Sequence, residues 1–169
     1  MKFRLLTTTD QEIYGASAMA TVDYTDVAAM GASLTGNVAV APGTTNGLQP
    51  AVGTSGTDAF PAPATGNPGP AIQFKFAVVD TPFVSSTATS LTVSVGDTGS
   101  ATRFLAASQI QSTASPIVGA VSATNPYYAG AAEVVNAYFT SITGNLNTFT
   151  AGSMRLFFNI TDLGQLPKA

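Results

Sequence analysis

Apolar and polar residues alternate along most of the second half of the chain. In Phe74-Lys75-Phe76-Ala77-Val78-Val79, the residues Phe74, Phe76 and Val78 fall on one face of an extended segment. In SLTVSVG (90–96), Leu91, Val93 and Val95 face one way, with Thr92 and Ser94 opposite. In VVNAYFTSI (134–142), Val135, Ala137 and Phe139 repeat the pattern against Asn136, Tyr138 and Thr140. In SMRLFFNITD (153–162), Met154, Leu156, Phe158 and Ile160 turn inward, and Arg155, Phe157, Asn159 and Thr161 turn outward. A period of two is the signature of a strand with one packed face, the usual condition of antiparallel sheets.

The remaining segments are read from their punctuation. Lys2–Thr8 and Ala16–Asp23 are further strand candidates, with Asp23 and Asp26 marking a strand end and turn. GDTGSATRFLAAS (96–108) predicts a turn followed by a short helix or helical turn, capped by Ser100 or Thr102 and carried by Arg103–Ala107. TGNLNTFTAG (143–152) predicts a polar connection into the last strand. Residues 35–70 are rich in Gly, Pro, Thr and Ala and hold one charge, Asp58. Little in this segment builds a core. It is expected to be an extended arm or large loop, lying on its own domain or, preferentially, on a neighbouring subunit. These elements predict one all-β domain over 1–169, an antiparallel β-sandwich of jelly-roll type with a Gly/Pro-rich arm.

Composition narrows the functions. The 169 residues include no histidine and no cysteine, and only 9% are charged while 45% are hydrophobic. Most groups used for acid–base, nucleophilic and metal chemistry near neutral pH are therefore missing. The six cations, Lys2, Arg4, Lys75, Arg103, Arg155 and Lys168, are scattered along a chain of net charge −3. Phosphate neutralisation needs a basic patch, so no nucleic-acid partner is expected. Residues 1–70 carry two positive and five negative charges, whereas residues 71–169 carry four of each. A surface so poor in charge gives little protection against self-association, which suits a protein that assembles. No stretch is long and apolar enough for a membrane helix, and the apolar run near Met1 is too short for a signal-peptide core. The chain is accordingly expected to be a full translation product with both ends held in place.

Each candidate chemistry has a plainer structural reading. Lys75 sits mid-strand and is expected to be an outward, solvated side chain rather than a catalytic base. Two glutamates, Glu12 and Glu133, and seven aspartates form no recognisable acid–nucleophile pair. Val95–Gly99 is the one candidate calcium loop, but it lacks alternating carboxylates. A turn with Asp97 bonding its own backbone, and with Arg103 as a structural ion-pair partner, is the better reading. GDTG and TGN lack the lysine and following helix of a phosphate loop. No catalytic residue, metal or cofactor is therefore assigned. The outward aromatics Tyr138 and Phe157, with Tyr127 and Tyr128 in the NPYY loop and Phe60 in the arm, are candidate interface residues. For Tyr138 and Phe157, a covering second layer weighs equally.

A wider pattern accompanies these features: a Phe-rich strand with TPF (81–83), then LTVSVGD (91–97) and ATRFL (101–105). NPYY and VNAYFTS follow within 125–141, and TAGSMRLFFNITDL closes the series (150–163). Over roughly residues 72–163 the chain resembles small virion-structural proteins of tailed bacteriophages. That resemblance implies a non-enzymatic head decoration (cement) protein on the outer capsid surface, binding major capsid protein. Capsid symmetry offers a homotrimer for its self-association. The alternative implied is a small tail or fibre-tip protein that binds host glycans through Tyr127, Tyr128 and Tyr138. The 35–70 segment departs from the shorter linkers of such proteins.

Overall fold

The computed structural model describes residues 2–40, 71–97, 99–111, 127–128 and 135–161. Nine strands are found among them: β1 (Lys2–Leu5), β2 (Ala18–Asp23), β3 (Thr35–Ala39), β4 (Ala71–Ser85), β5 (Ser90–Asp97), β6 (Leu105–Gln109), β7 (Tyr127–Tyr128), β8 (Val135–Ile142) and β9 (Phe149–Thr161). They form a five-stranded sheet ordered β1-β2-β9-β4-β7 and a four-stranded sheet ordered β3-β8-β5-β6. Every neighbouring pair is antiparallel. The fold is an all-β sandwich, as the alternation predicts.

The main core lies between the sheets. The five-stranded sheet contributes Ala20, Val22, Phe74, Ala77, Val79, Met154, Leu156 and Phe158, and the four-stranded sheet contributes Val93, Val95, Ala137 and Phe139. Phe74 and Phe158 are register partners and meet edge to face, with ring centroids 5.4 Å apart. Phe83 closes one end of this core, where the strand pairing is irregular. Gly152, at φ 133°, passes so near it that a Cβ would lie 2.5 Å from the Phe83 ring.

Several expectations are corrected. Phe74, Phe76 and Val78 do not share a face, because a bulge at Lys75 shifts the register between Phe74 and Phe76. Phe74 enters the main core, while Phe76 and Val78 pack on the opposite side of the sheet. Of the short helix or helical turn expected over Arg103–Ala107, only a turn is present, closed by Arg103 N–H on the Ser100 carbonyl, and Leu105–Gln109 is strand β6. Burial of Phe104 and Leu105 and pairing with β5 outweigh the helix propensity of the alanines. The first strand candidate stops at Leu5. Thr7 caps a helix, α1 (Thr8–Tyr14), through a capping box with Asp10, and Gly15 ends it at φ 61°. Asp23 does end a strand, but Asp23 and Asp26 form the capping box of a second helix, α2 (Tyr24–Ala28), instead of a turn. The expected arm begins with strand β3, paired to β8 from Thr35↔Thr140 to Ala39↔Asn136. Residues 41–70 of the arm, and the chain end beyond 161, lie outside the described residues.

Candidate functional site at the β5–β6 turn

Three residues singled out in the sequence, Asp97, Arg103 and Tyr138, come together where β5 turns into β6. Asp97 is the last residue of β5, opposite Val135 of β8. Its side chain is 2% exposed. Oδ1 accepts hydrogen bonds from the backbone N–H groups of Gly99 at 2.9 Å and Ser100 at 2.7 Å. Oδ2 forms an ion pair with the Arg103 guanidinium, which remains 26% exposed. The backbone closes the same turn: Asp97 N–H donates to the Ser100 carbonyl at 3.0 Å, and Arg103 N–H donates to it at 3.2 Å. The Tyr138 hydroxyl then donates to the Asp97 carbonyl at 2.7 Å from the neighbouring strand β8.

Gly96 makes this closure possible. Alternation turns its missing Cβ to the outer face of the four-stranded sheet, and the turn folds over it. A Cβ there would lie 2.0 Å from the Ser100 carbonyl oxygen and 2.5 Å from the Ala101 carbonyl carbon. Opposite Gly96 sits Asn136, 3% exposed, whose Oδ1 accepts from Asn37 Nδ2 at 3.0 Å. The cluster is a fully engaged polar staple on an outward sheet face. Asp97 spends its carboxylate on two backbone donors and a guanidinium, which suits it to fixing a turn rather than to moving protons or holding a cation. Among the described residues, no three acidic side chains converge on a point where a metal would sit.

The other candidate interface residues are dispersed. Phe157 does face away from the main core, but it is 0% exposed. Leu6, Ala16 and Met19 cover it, and Phe76 and Val78 pack beside it. Its ring stacks on Phe76 at a centroid distance of 4.6 Å, with the Arg155 guanidinium 5.5 Å from its own centroid. Phe157 is thus an internal residue of a second layer built by the N-terminal segment, and it is unavailable to a partner. Tyr127 and Tyr128 form the short edge strand β7, pairing with Ile72 and Ala71, where a loop was expected. Phe60 lies outside the described residues. Lys75 is half-buried at the bulge. Arg155 instead makes the other ion pair described, a bidentate contact to Asp80 across β9 and β4 with distances of 2.6–3.0 Å.

Sequence reasoning passed over the exposed apolar side chains. Ile13, Tyr24, Leu34, Val84 and Ile142 are the large hydrophobic residues that stand out among the described surface. For Ile142 the signal was present, since it continues the outward row of Tyr138 and Thr140. No protein-family model, curated protein or solved structure matches this chain. Among the described residues, no helix is long and apolar enough to cross a membrane.

Proposed function

We propose that this chain is a non-enzymatic structural protein of a tailed-bacteriophage particle: a cement protein on the outer capsid that binds and stabilises major capsid protein subunits and associates with itself. The observation that carries the reading is the strand order. Without β1, the sheets run β2-β9-β4-β7 and β3-β8-β5-β6. We read eight successive strands in that order as a jelly-roll winding, an architecture recurrent in viral capsid and lectin domains. A fold hosts many functions, and the resemblance read from the sequence over residues 72–163 is our reason for choosing a virion-structural role among them. The polar groups agree with that choice. Asp97 and Arg103 engage each other, as do the exposed Asp80 and the half-buried Arg155, so these four charges hold the scaffold.

The glycan-binding alternative draws less from the geometry. Of its three tyrosines, Tyr138 has its hydroxyl committed to the Asp97 carbonyl. The test is to locate the chain on intact particles by immunolabelling and imaging, and to add purified chain to particles lacking it. Regular occupancy of the head surface, with greater resistance of the heads to heat or osmotic shock, is the expected result. A chain found only on the tail overturns the cement reading, and a chain absent from particles overturns both.

A further inference from the structure

The edges of the two sheets are not equally protected. Strand edges are templates for pairing with another chain, and proteins blunt them with charge, brevity or cover. Edge strand β1 carries Lys2 and Arg4. Edge strand β7 carries Tyr127 and Tyr128, and its neighbours along the chain lie outside the described residues. In edge strand β3, Val38 and Ala39 are buried. In the fourth edge, β6, Leu105 is buried, but among the described residues no charge or cover is seen over Ala106–Gln109. Its sequence, LAASQ, holds no charge and no proline, and Ala106, Ala107 and Gln109 are exposed.

The direction of its backbone groups follows from its pairing with β5. Ile110 N–H donates to the Leu91 carbonyl, and Ser108 is the register partner of Val93. Alternation along an antiparallel ladder then turns the N–H and C=O of Ala107 and Gln109 away from β5. The Ser108 hydroxyl already serves the Ala106 carbonyl at 3.0 Å. Arg103, the cation nearest to β6 in sequence, is paired with Asp97, so among the described residues no unpaired charge adjoins this edge in sequence even though the chain is net negative.

We propose that β6 is a self-association edge that pairs antiparallel with β6 of a second copy. The two-fold axis passes beside Ser108, setting Ala107 opposite Gln109 of the second copy and the reverse. Each of these pairs exchanges two backbone hydrogen bonds, and two four-stranded sheets become one of eight strands. Antiparallel edges are self-complementary, so a second copy satisfies this edge with no other surface required. The small side chains at 106–108 permit close approach. The proposal specifies the self-contact of the cement reading, but its test needs no particle, so the two can fail separately.

The experiment uses the full chain. Amide hydrogen exchange is followed at high and low protein concentration, beside sedimentation equilibrium. The amides of Ala107 and Gln109 are expected to exchange ~100-fold more slowly when the chain is concentrated, in step with a dimer mass. Ala107→Lys is expected to weaken association ~100-fold by setting like charges across the axis, while leaving unchanged the melting temperature measured at low concentration, where both chains are monomeric. Ala107→Pro removes an N–H that β5 does not use, and is expected to do the same. A wild-type chain that stays monomeric, protection that is independent of concentration, or a folded Ala107→Lys chain that associates like wild type overturns the proposal.

Discussion

The five-stranded sheet is packed on both faces, and its two sides are built differently. On the inner side, 25 of the described residues, drawn from both sheets and their connections, are buried in one continuous core. On the outer side, four buried residues, Leu6, Ala16, Met19 and Phe157, form a small cluster with Phe76 and Val78. Strand β9 serves both: Met154, Leu156 and Phe158 point inward, and Phe157 points outward into the second layer. The inner core depends on contacts between residues remote in sequence. The outer cluster depends on the return of the N-terminal segment over the sheet, where Leu6 N–H donates to the Ser17 carbonyl and Ser17 N–H to the Phe158 carbonyl. An outward aromatic on a strand therefore marks a second layer when a local segment is long enough to fold over it, and a partner surface only otherwise.

The sharpest way to separate the two sides is to truncate neighbouring residues of β9. Phe158→Ala should destabilise the protein by about 4 kcal/mol in urea unfolding, because a ring is lost from the central core. Phe157→Ala should lose about 3 kcal/mol, at the low end for a buried phenylalanine, because the outer cluster is shallow. It should also raise amide exchange in residues 2–19 while leaving β5 and β8 protected. Equal loss of protection in both sheets after Phe157→Ala would show that the outer cluster is not a separate unit.

Smaller effects probe the edges of the inner core. Arg103→Met should cost about 2 kcal/mol, since it leaves the 2%-exposed Asp97 carboxylate without its cation. The replaced side chain is partly exposed, which lowers the effect below that of a fully buried pair. Chemical denaturation checks the size, and exchange at Phe104 and Leu105 should show the damage localised to the β5–β6 turn.

The smallest expected change is at the start of α2, whose Val27 reaches the inner core. Burial raises the affinity of the Asp23 carboxyl for its proton. The hydrogen bonds from the Thr25 hydroxyl and from the N–H groups of Asp26 and Thr25 outweigh that, and hold it below its ordinary value of 3.8. A lowered carboxyl contributes stability above the unfolded value, and that contribution disappears as pH falls through the folded one. Asp23→Ala should therefore cost about 1 kcal/mol at pH 7, typical of a lost N-cap. The difference from wild type should shrink on acidification below 3.8. A gap that stays constant down to pH 2 would place the effect elsewhere than in the carboxylate.

Much of the architecture was legible from alternation. Leu91, Val93 and Val95, then Val135, Ala137 and Phe139, then Met154, Leu156 and Phe158 all point where a period of two puts them. The turn at Asp97 was legible because an aspartate before a Gly-Ser pair bonds its own backbone, as it does to Gly99 and Ser100. What was not legible has a common cause. The bulge at Lys75 has no composition of its own, and it appears only as a mismatch in register between strands whose partners lie 81 and 84 residues apart in sequence, Phe76 with Phe157 after Phe74 with Phe158. The alanines of β6 favour a helix in isolation and become a strand because β5 offers a ladder. The cover over Phe157 depends on where the N-terminal segment returns, which no local pattern records.

Local side-chain chemistry thus determined by itself the strand content of this protein, its poverty in catalytic groups and the Asp97 turn, because periodicity and short-range hydrogen bonds act within a few residues. The tertiary structure alone decided which outward residues are buried, which strands form the edges of the two sheets and how Tyr138 reaches the turn. Those outcomes depend on register between distant strands, and register is chosen by the packing of the whole sandwich.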